Sequence, residues 1–238
     1  MAAFIFVILM SSSTSLLHLN VMSFAGYLIL IQIDLLLNSY KKTEANNEIF
    51  YTGLISSLLM LTHSPFIIME LFVLVCIALI RPINFRDYLI SLMGFLFPLL
   101  FVFTYYYWNE TLGYFLIKWL NIDFIDSDFS QYSGYNMVYL SAIGVLLLLA
   151  LFRIATKGLT IKTMLVRKAF SFMFWLLFFG LFIGLFSDIA KVEGYSIVFI
   201  PLTILLCNIY LNAKNLFWHE LIFSLFFILI VIKNYFYL

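Results

Sequence analysis

Charged residues are scarce in this chain. Asp, Glu, Lys and Arg together make up 11% of its 238 residues, whereas 65% are hydrophobic and 20% aromatic. A soluble domain is about 25% charged and about 45–50% apolar, so it could not cover this much apolar side chain at its surface. The composition predicts an integral membrane protein with the lipid bilayer as its main partner. The net charge of +1 gives no reason to expect nucleic acid.

The chain also lacks the short motifs that mark common active sites. Glycine-rich phosphate loops, H-E-x-x-H, paired C-x-x-C and G-x-S-x-G do not occur. The two cysteines, Cys76 and Cys207, lie inside apolar runs, where we expect packing residues rather than a disulfide. Cofactor, substrate and catalytic activity therefore cannot be assigned from motifs.

Long apolar segments are abundant, and alternating strand patterns are absent. Helices satisfy every backbone group in lipid, and about 20 apolar residues cross the hydrocarbon core. We predict an all-α bundle of about eight transmembrane helices in a single domain, residues 1–238. The predicted helices are 20–40, 47–63, 65–81, 87–107, 135–152, 169–187, 195–211 and 215–233. A stretch at 4–17 is marginal, and an outer interfacial segment follows the fourth helix.

The basic residues predict how these helices are oriented. Residues 153–168 carry five of the thirteen Lys and Arg residues and no acid. Lys and Arg accumulate in short cytoplasmic loops, so this loop is assigned to the cytoplasm. Alternation then makes the loops 41–46, 81–86 and 212–214 cytoplasmic, and ten of the thirteen cations lie inside. The segment 109–134 and the C-terminus become periplasmic in a bacterial inner membrane.

Local signals refine this arrangement. Ser64–Pro65 predicts a capped helix start, which makes 47–81 a tight helical hairpin. Pro98 and Pro201 fall within helices and are expected to kink them. The sequence GLFIG at 180–184 is a small-xxx-small face, typical of close helix packing.

Acidic residues within apolar helices are candidates for function because they are costly in lipid. Asp34 and Glu220 lie near helix ends, where each can reach the interface or pair with a lysine. Glu70 lies deeper, and His63 precedes it on the same hairpin. A carboxyl group near an imidazole can exchange protons, which makes both residues catalytic candidates. The alternative is a Glu70 side chain that is hydrogen-bonded between helices or reaches outward.

A second candidate site lies in the predicted outer segment. Asp123, Asp126 and Asp128 are three carboxylates within six residues. They can hold a divalent cation or supply a catalytic base. A solvated acidic loop is the alternative.

The order of features over residues 20–108 resembles a known family. SFAGYLILIQIDLLLNSYKK precedes EIFYTGLISSLLMLTHSPFIIMELFVLVCIALI, and RPINFRDYLISLMGFLFPLLFVFTYYYW follows. This order is similar to multi-pass inner-membrane proteins of Gram-negative bacteria whose activity is not established. Some members carry a β-carotene monooxygenase label, but this chain has three histidines and does not show the four-histidine iron site of such enzymes. The arrangement also resembles, more loosely, multi-pass glycosyltransferases that use lipid-linked sugars.

Three functional hypotheses follow. The first is a structural or assembly subunit of a cell-envelope system, with other membrane proteins as partners. The second is a membrane-embedded transferase acting on a lipid or lipid-linked sugar at the outer face. The third is a transporter of small solutes or protons, based on Glu70 and the two prolines within helices. Whether the protein is an enzyme stays open at this stage.

Overall fold

The fold was analysed in a computed structural model. It describes residues 2–11, 20–40, 42, 44–82, 84–120, 144, 163–185, 195–211, 224 and 227–228. All regular secondary structure within these ranges is helical, as the sequence predicts. Three of the helices, Val21–Asn38, Phe85–Trp108 and Met164–Gly184, are long and apolar enough to cross a membrane.

Eight α-helices account for most of the described residues. They are α1 (Ala2–Met10), α2 (Val21–Asn38), α3 (Asn46–Thr62), α4 (Ile68–Ile80), α5 (Phe85–Trp108), α6 (Leu112–Leu120), α7 (Met164–Leu185) and α8 (Ser196–Leu211). A 3₁₀ turn, Ser64–Ile67, leads into α4. Six of the predicted helices correspond to α2, α3, α4, α5, α7 and α8. The predicted helices 135–152 and 215–233 lie almost wholly outside the described residues.

Helix α2 starts at a side-chain cap. The carboxamide oxygen of Asn20 accepts a hydrogen bond from the backbone N–H of Ser23 at 2.9 Å. This satisfies one of the N–H groups that the first helical turn leaves without a partner. From there α2 packs against α3, α4, α7 and α8, which gives it a central place in the described core.

The hairpin of α3 and α4 is confirmed, but its predicted cap is wrong. Pro65 occupies the first turn, as its fixed φ favours. The N-cap position is His63 rather than Ser64, and it makes no side-chain capping bond. The extended backbone of His63 ends α3 and allows the chain to reverse within a few residues.

Helices α3 and α5 form a close crossing. A Cβ atom added to Gly53 would lie well within 3.0 Å of the carbonyl oxygen of Ser91. One added to Gly94 would lie equally close to the carbonyl oxygen of Phe50. Only glycine allows the two backbones to approach this far, so this pair fixes the position of α5 on the bundle.

The small-xxx-small face of α7 is also confirmed as a packing surface. Gly180 lies against the side chains of Ile197 and Val198, and Gly184 lies against the ring of Tyr195. All three partners belong to α8 or to the residue just before it. This face is therefore occupied within the chain itself.

Lys168, the last residue of the basic segment, lies at the end of the bundle where α2 and α4 finish. The Lys168 ammonium group donates a hydrogen bond to the carbonyl oxygen of Ile80 at 2.8 Å and lies 5.0 Å from the centre of the Tyr40 ring. A cation favours the carboxyl end of a helix, where carbonyl groups are left without partners. We call the set Tyr40, Lys42, Ile80, Arg81 and Lys168 the basic end.

Two ion pairs connect the chain segments at the basic end. Lys42 pairs with Glu48 at the start of α3, and Arg81 pairs with Asp87 at the start of α5, with 2.9 Å between Nε and Oδ2. The predicted loops 41–46 and 81–86 thus share one end of the bundle with Lys168. Which side of a membrane this end faces stays a prediction.

The predicted boundary of the basic loop is partly wrong. Helix α7 begins at Met164, so the last five residues of the segment 153–168 are helical. Residues 164–168 contain no helix breaker, and the contact of Lys168 with Ile80 anchors this first turn. Residues 153–162 lie outside the described residues.

After α5 the chain folds back on itself. Glu110 adopts a positive φ of 55°, and α6 returns along the end of α5. The Phe115 ring stacks on Tyr106 with 4.1 Å between ring centroids, and Trp119 stacks on Phe115 at 5.6 Å. Nine residues give α6 a length of about 13 Å, which is too short to cross a bilayer.

The close crossing generates a prediction about stability. Gly53→Ala and Gly94→Ala should each destabilise the fold by about 1–3 kcal/mol, because the added methyl group forces the backbones of α3 and α5 apart. Thermal unfolding in a mild detergent measures this effect.

Gly26→Ala is the matched control within α2. Its added methyl group would meet only the Cδ1 atom of Ile200 at 3.6 Å, an ordinary van der Waals distance. This variant should unfold at or above the wild-type temperature. Equal melting temperatures for Gly53→Ala and Gly26→Ala would contradict the close crossing.

Candidate functional site

Helices α2 to α5 each contribute polar side chains to one buried layer. Its members are Gln32 from α2, Thr52 and Ser56 from α3, Glu70 from α4 and Ser91 from α5, and we call this set the polar layer. Glu70 retains 5% of its surface exposed, and the other four retain none. Polar groups buried this deeply are expected to be hydrogen-bonded to one another.

The hairpin sets the level of the layer. Ser56 and Glu70 lie seven residues before and after His63, at which the chain turns. At 1.5 Å per residue, both therefore lie about 10 Å from the turn. This distance places the polar layer well inside the bundle rather than at its end.

The Glu70 carboxyl group is held from two sides. The Ser91 hydroxyl group donates a hydrogen bond to Oε1 at 2.7 Å. The Ser56 hydroxyl group lies beside the same carboxyl group, and its oxygen is also 3.1 Å from the carbonyl oxygen of Thr52. Glu70 is therefore hydrogen-bonded between helices, the arrangement that the sequence left as one alternative.

Gln32 extends the network to α2. Its Nε2 donates to the Ser56 hydroxyl oxygen at 2.9 Å and to the Thr52 carbonyl oxygen at 3.1 Å. A carbonyl oxygen can only accept, so the amide nitrogen must face Thr52, and this fixes the amide orientation. The Oε1 atom of Gln32 consequently points away from Thr52.

Two acceptor atoms of the polar layer have no partner. Among the described residues, no hydrogen bond reaches Glu70 Oε2 or Gln32 Oε1, although both atoms are buried. Leaving a buried acceptor without a donor costs about 1–3 kcal/mol, and more for a charged group. The described part of the layer therefore leaves two acceptor atoms without a donor.

The close crossing of α3 and α5 determines where Ser91 lies. Its backbone carbonyl group rests against Gly53, and its hydroxyl group reaches Glu70. A side chain at position 53 would push Ser91 away from the carboxyl group. The glycine contact and the hydrogen bond thus belong to one arrangement.

His63 and Glu70 share the hairpin, as predicted. The His63 ring packs edge-on against Phe66, with 6.1 Å between ring centroids, while the carboxyl group of Glu70 faces Ser91 and Ser56. Asp123, Asp126 and Asp128 lie outside the described residues. That these three acids bind a metal ion or act as bases stays a prediction. Their proximity to Glu70 stays a prediction as well.

The other ionisable residues differ from Glu70 in their surroundings. Asp34 is exposed and accepts a hydrogen bond from Asn38, one turn later in α2, at 3.1 Å. Glu220 lies outside the described residues.

Cys76 and Cys207 are free thiols, as predicted. In the described part of the chain, no three His, Cys, Asp or Glu side chains are grouped closely enough to hold a metal ion.

The sequence did not predict that Gln32, Ser56 and Ser91 would join Glu70 in one hydrogen-bonded layer. A usable signal exists for two of them. Gly53 precedes Ser56 and Ser57 in GLISS, and Ser91 precedes Gly94 in SLMG, so small residues recur at helical spacing on both α3 and α5. Such spacing indicates that two helices can approach closely.

Comparison with known proteins gives no match. No protein-family model, curated protein or solved structure is significantly similar to this chain. The resemblance to inner-membrane proteins of Gram-negative bacteria therefore remains a prediction, as does the looser likeness to lipid-linked-sugar glycosyltransferases.

The polar layer yields a prediction about coupling between Glu70 and Ser91. In a double-mutant cycle with Glu70→Ala and Ser91→Ala, the coupling free energy should be about 0.6 kcal/mol and at most about 1.7 kcal/mol, the mean and the maximum for hydrogen bonds within a membrane protein. Reversible unfolding in mixed micelles measures all four variants.

A cycle of Asp34→Ala with Ser91→Ala is the control. Asp34 is exposed and bonds to Asn38, so the two changes should be additive. Additive effects of Glu70→Ala and Ser91→Ala would show that the hydrogen bond between them contributes nothing.

Proposed function

We propose that the chain is a multi-pass protein of the bacterial inner membrane with about eight transmembrane helices. The three helices that can span a bilayer support this proposal. The basic end faces the cytoplasm in this arrangement, because Lys and Arg accumulate on that side. Residues 109–134 and the C-terminus then face the periplasm.

We further propose that it serves as a structural or assembly subunit of a cell-envelope system. The observation that supports this role is the exposure of α5. In the most apolar 18-residue stretch of α5, 17% of the residues are buried. The corresponding stretches of α2 and α7 are each 39% buried. Helix α5 contacts α3 and α4 through one face, on which Asp87, Ser91, Gly94 and Leu99 are buried.

The exposed surface of α5 is large and apolar along its whole length. It includes Phe85, Leu89, Leu92, Met93, Leu96, Phe97, Leu100, Phe101, Tyr105, Tyr107 and Trp108. At 1.5 Å per residue its 24 residues span about 36 Å, enough to cross the hydrocarbon core. We assign this face to a partner membrane protein, since aromatic side chains are enriched at protein interfaces.

The GLFIG face of α7 is not available to bind a partner protein, although the sequence suggests it as an interaction surface. Gly180 and Gly184 already pack against α8. The interaction surface proposed here is therefore the outer face of α5.

Cysteine crosslinking in native membranes tests the assembly role. In a chain with Cys76→Ala and Cys207→Ala, Met93→Cys and Leu100→Cys should form specific crosslinked products on mild oxidation, because both residues lie on the exposed face of α5. The mass of each product distinguishes a second copy of this chain from a different protein.

Tyr27→Cys on α2 is the matched control, since Tyr27 is also exposed and apolar in its surroundings. It should crosslink much less than the α5 positions. Equal crosslinking at all three positions, together with a monomer after gentle solubilisation, would contradict the assembly role.

A second candidate function is transport of protons or small solutes. The polar layer favours it, because a buried carboxyl group inside a helical bundle is typical of coupling sites in transporters. The transferase hypothesis depends on Asp123, Asp126 and Asp128, for which no described residue adds support.

Proteoliposomes with an internal pH dye test the transport function. Wild-type protein should dissipate an imposed proton gradient when a sodium or potassium gradient is present, and Glu70→Gln should not, because it lacks the ionisable group. Rates equal to those of empty liposomes would contradict this function.

A further inference from the structure

We propose that the polar layer is a binding site for a small monovalent cation, with sodium as the ion and the Glu70 carboxylate as its charged ligand. This inference deepens the transport function and rests on it for a biological role. The binding itself can be tested separately.

The first argument is the imbalance of donors and acceptors. Glu70 Oε2 and Gln32 Oε1 are buried acceptors without a donor among the described residues. Neither atom can satisfy the other, because both accept. Ser56 connects their side chains, since it receives the Gln32 amide hydrogen at 2.9 Å and lies beside the Glu70 carboxyl group. A positively charged occupant beside the carboxyl group supplies what Glu70 Oε2 lacks.

The second argument is charge. An ionised carboxylate inside an apolar bundle is strongly destabilised unless a cation or a proton neutralises it. Among the described residues, the side chains acting on Glu70 are the neutral hydroxyl groups of Ser91 and Ser56. The described residues supply no compensating charge, which leaves a bound ion or protonation of Glu70 as its source.

Charged side chains on the helices packed against α4 are either paired elsewhere or exposed, and the exposed ones include Arg86 of α5 and Arg167 of α7. On α3 Glu48 pairs with Lys42, and at the start of α5 Asp87 pairs with Arg81. On α7 Lys168 bonds to the Ile80 carbonyl oxygen at the far end of α4. Asp34 of α2 is exposed, as is Tyr51 of α3, and Tyr88 of α5 lies half-buried one turn before Ser91.

The third argument is the type of ligand atom. The groups beside the Glu70 carboxylate also carry oxygen: they are the hydroxyl groups of Ser56 and Ser91. Oxygen ligands suit hard cations. A single carboxylate balances one positive charge, whereas calcium sites usually combine several carboxylates, and magnesium retains much of its water. The set therefore fits sodium better than a divalent ion.

A proton competes with sodium for the same carboxylate. Sodium binding should therefore release a proton from Glu70, so the apparent affinity for sodium should rise with pH. Protonation without any sodium binding is the alternative source of the neutralising charge, and the experiment separates the two.

The test is thermal unfolding of the purified full-length protein at constant ionic strength, with potassium replaced stepwise by sodium. Wild-type protein should gain several degrees in Tm at saturating sodium, because a ligand that binds only the folded state stabilises it. The midpoint should move to lower sodium concentration as the pH rises. Asp34→Asn, which alters an exposed carboxylate, should respond as wild type does.

The Tm of the Glu70→Gln variant should not change with sodium, and the fold of this variant should be the same as that of the wild type. Should this variant fail to fold, Ser91→Ala provides the second measurement, and its sodium midpoint should shift to higher concentration because one oxygen ligand is removed. Infrared difference spectra supply an independent readout: sodium should remove the band of a protonated carboxyl group in the wild type. A carboxyl band that responds to pH but not to sodium would overturn the inference.

The outcomes for binding and transport remain distinguishable. A sodium-dependent Tm without ion flux in proteoliposomes would support the binding site and contradict the transport function. Proton flux that depends on Glu70 but proceeds without a sodium effect on Tm would support transport and overturn the sodium site.

Discussion

The close approach of α3 and α5 is the constraint on which the described site depends. Gly53 and Gly94 bring each backbone against a carbonyl group of the other helix, at distances that no Cβ atom could occupy. In lipid the hydrophobic effect does not drive helices together, so close van der Waals packing supplies most of the attraction. The two glycines therefore decide whether α5 attaches to the bundle and in which register.

This register gives the buried carboxyl group its surroundings. Ser91 can donate to Glu70 at 2.7 Å because its own backbone rests on Gly53. The α3–α4 hairpin independently brings Ser56 to the same level, and Gln32 completes the network from α2. Packing and polar chemistry are thus coupled: a change that separates α3 from α5 also removes the hydrogen bond to Glu70. The outer face of α5 stays exposed, since the helix packs on α3 and α4 through its opposite face.

Hydropathy and charge predicted most of the architecture but little of the site. The apolar segments locate α2 to α5 within a few residues, because each helix must be apolar over most of its length. Lys168 lies at the same end of the bundle as the loops after α2 and α4, in line with the predicted alternation, although α7 starts earlier than predicted. The sequence identified Glu70 because it is an acid within an apolar helix. It gave no comparable reason to select Ser91 or Gln32. Their meeting depends on the relative register of four helices, which hydropathy does not encode.

The most direct test of the central claim is the distance between α3 and α5. Spin labels at the exposed residues Leu58 and Met93 should report a single narrow distance by pulsed electron paramagnetic resonance, because the two backbones are in contact. Gly53→Ala should lengthen this distance, since its methyl group cannot fit beside the Ser91 carbonyl group, and Gly26→Ala should leave it unchanged. A broad distribution in the wild type, or the same distance in Gly53→Ala, would contradict the account.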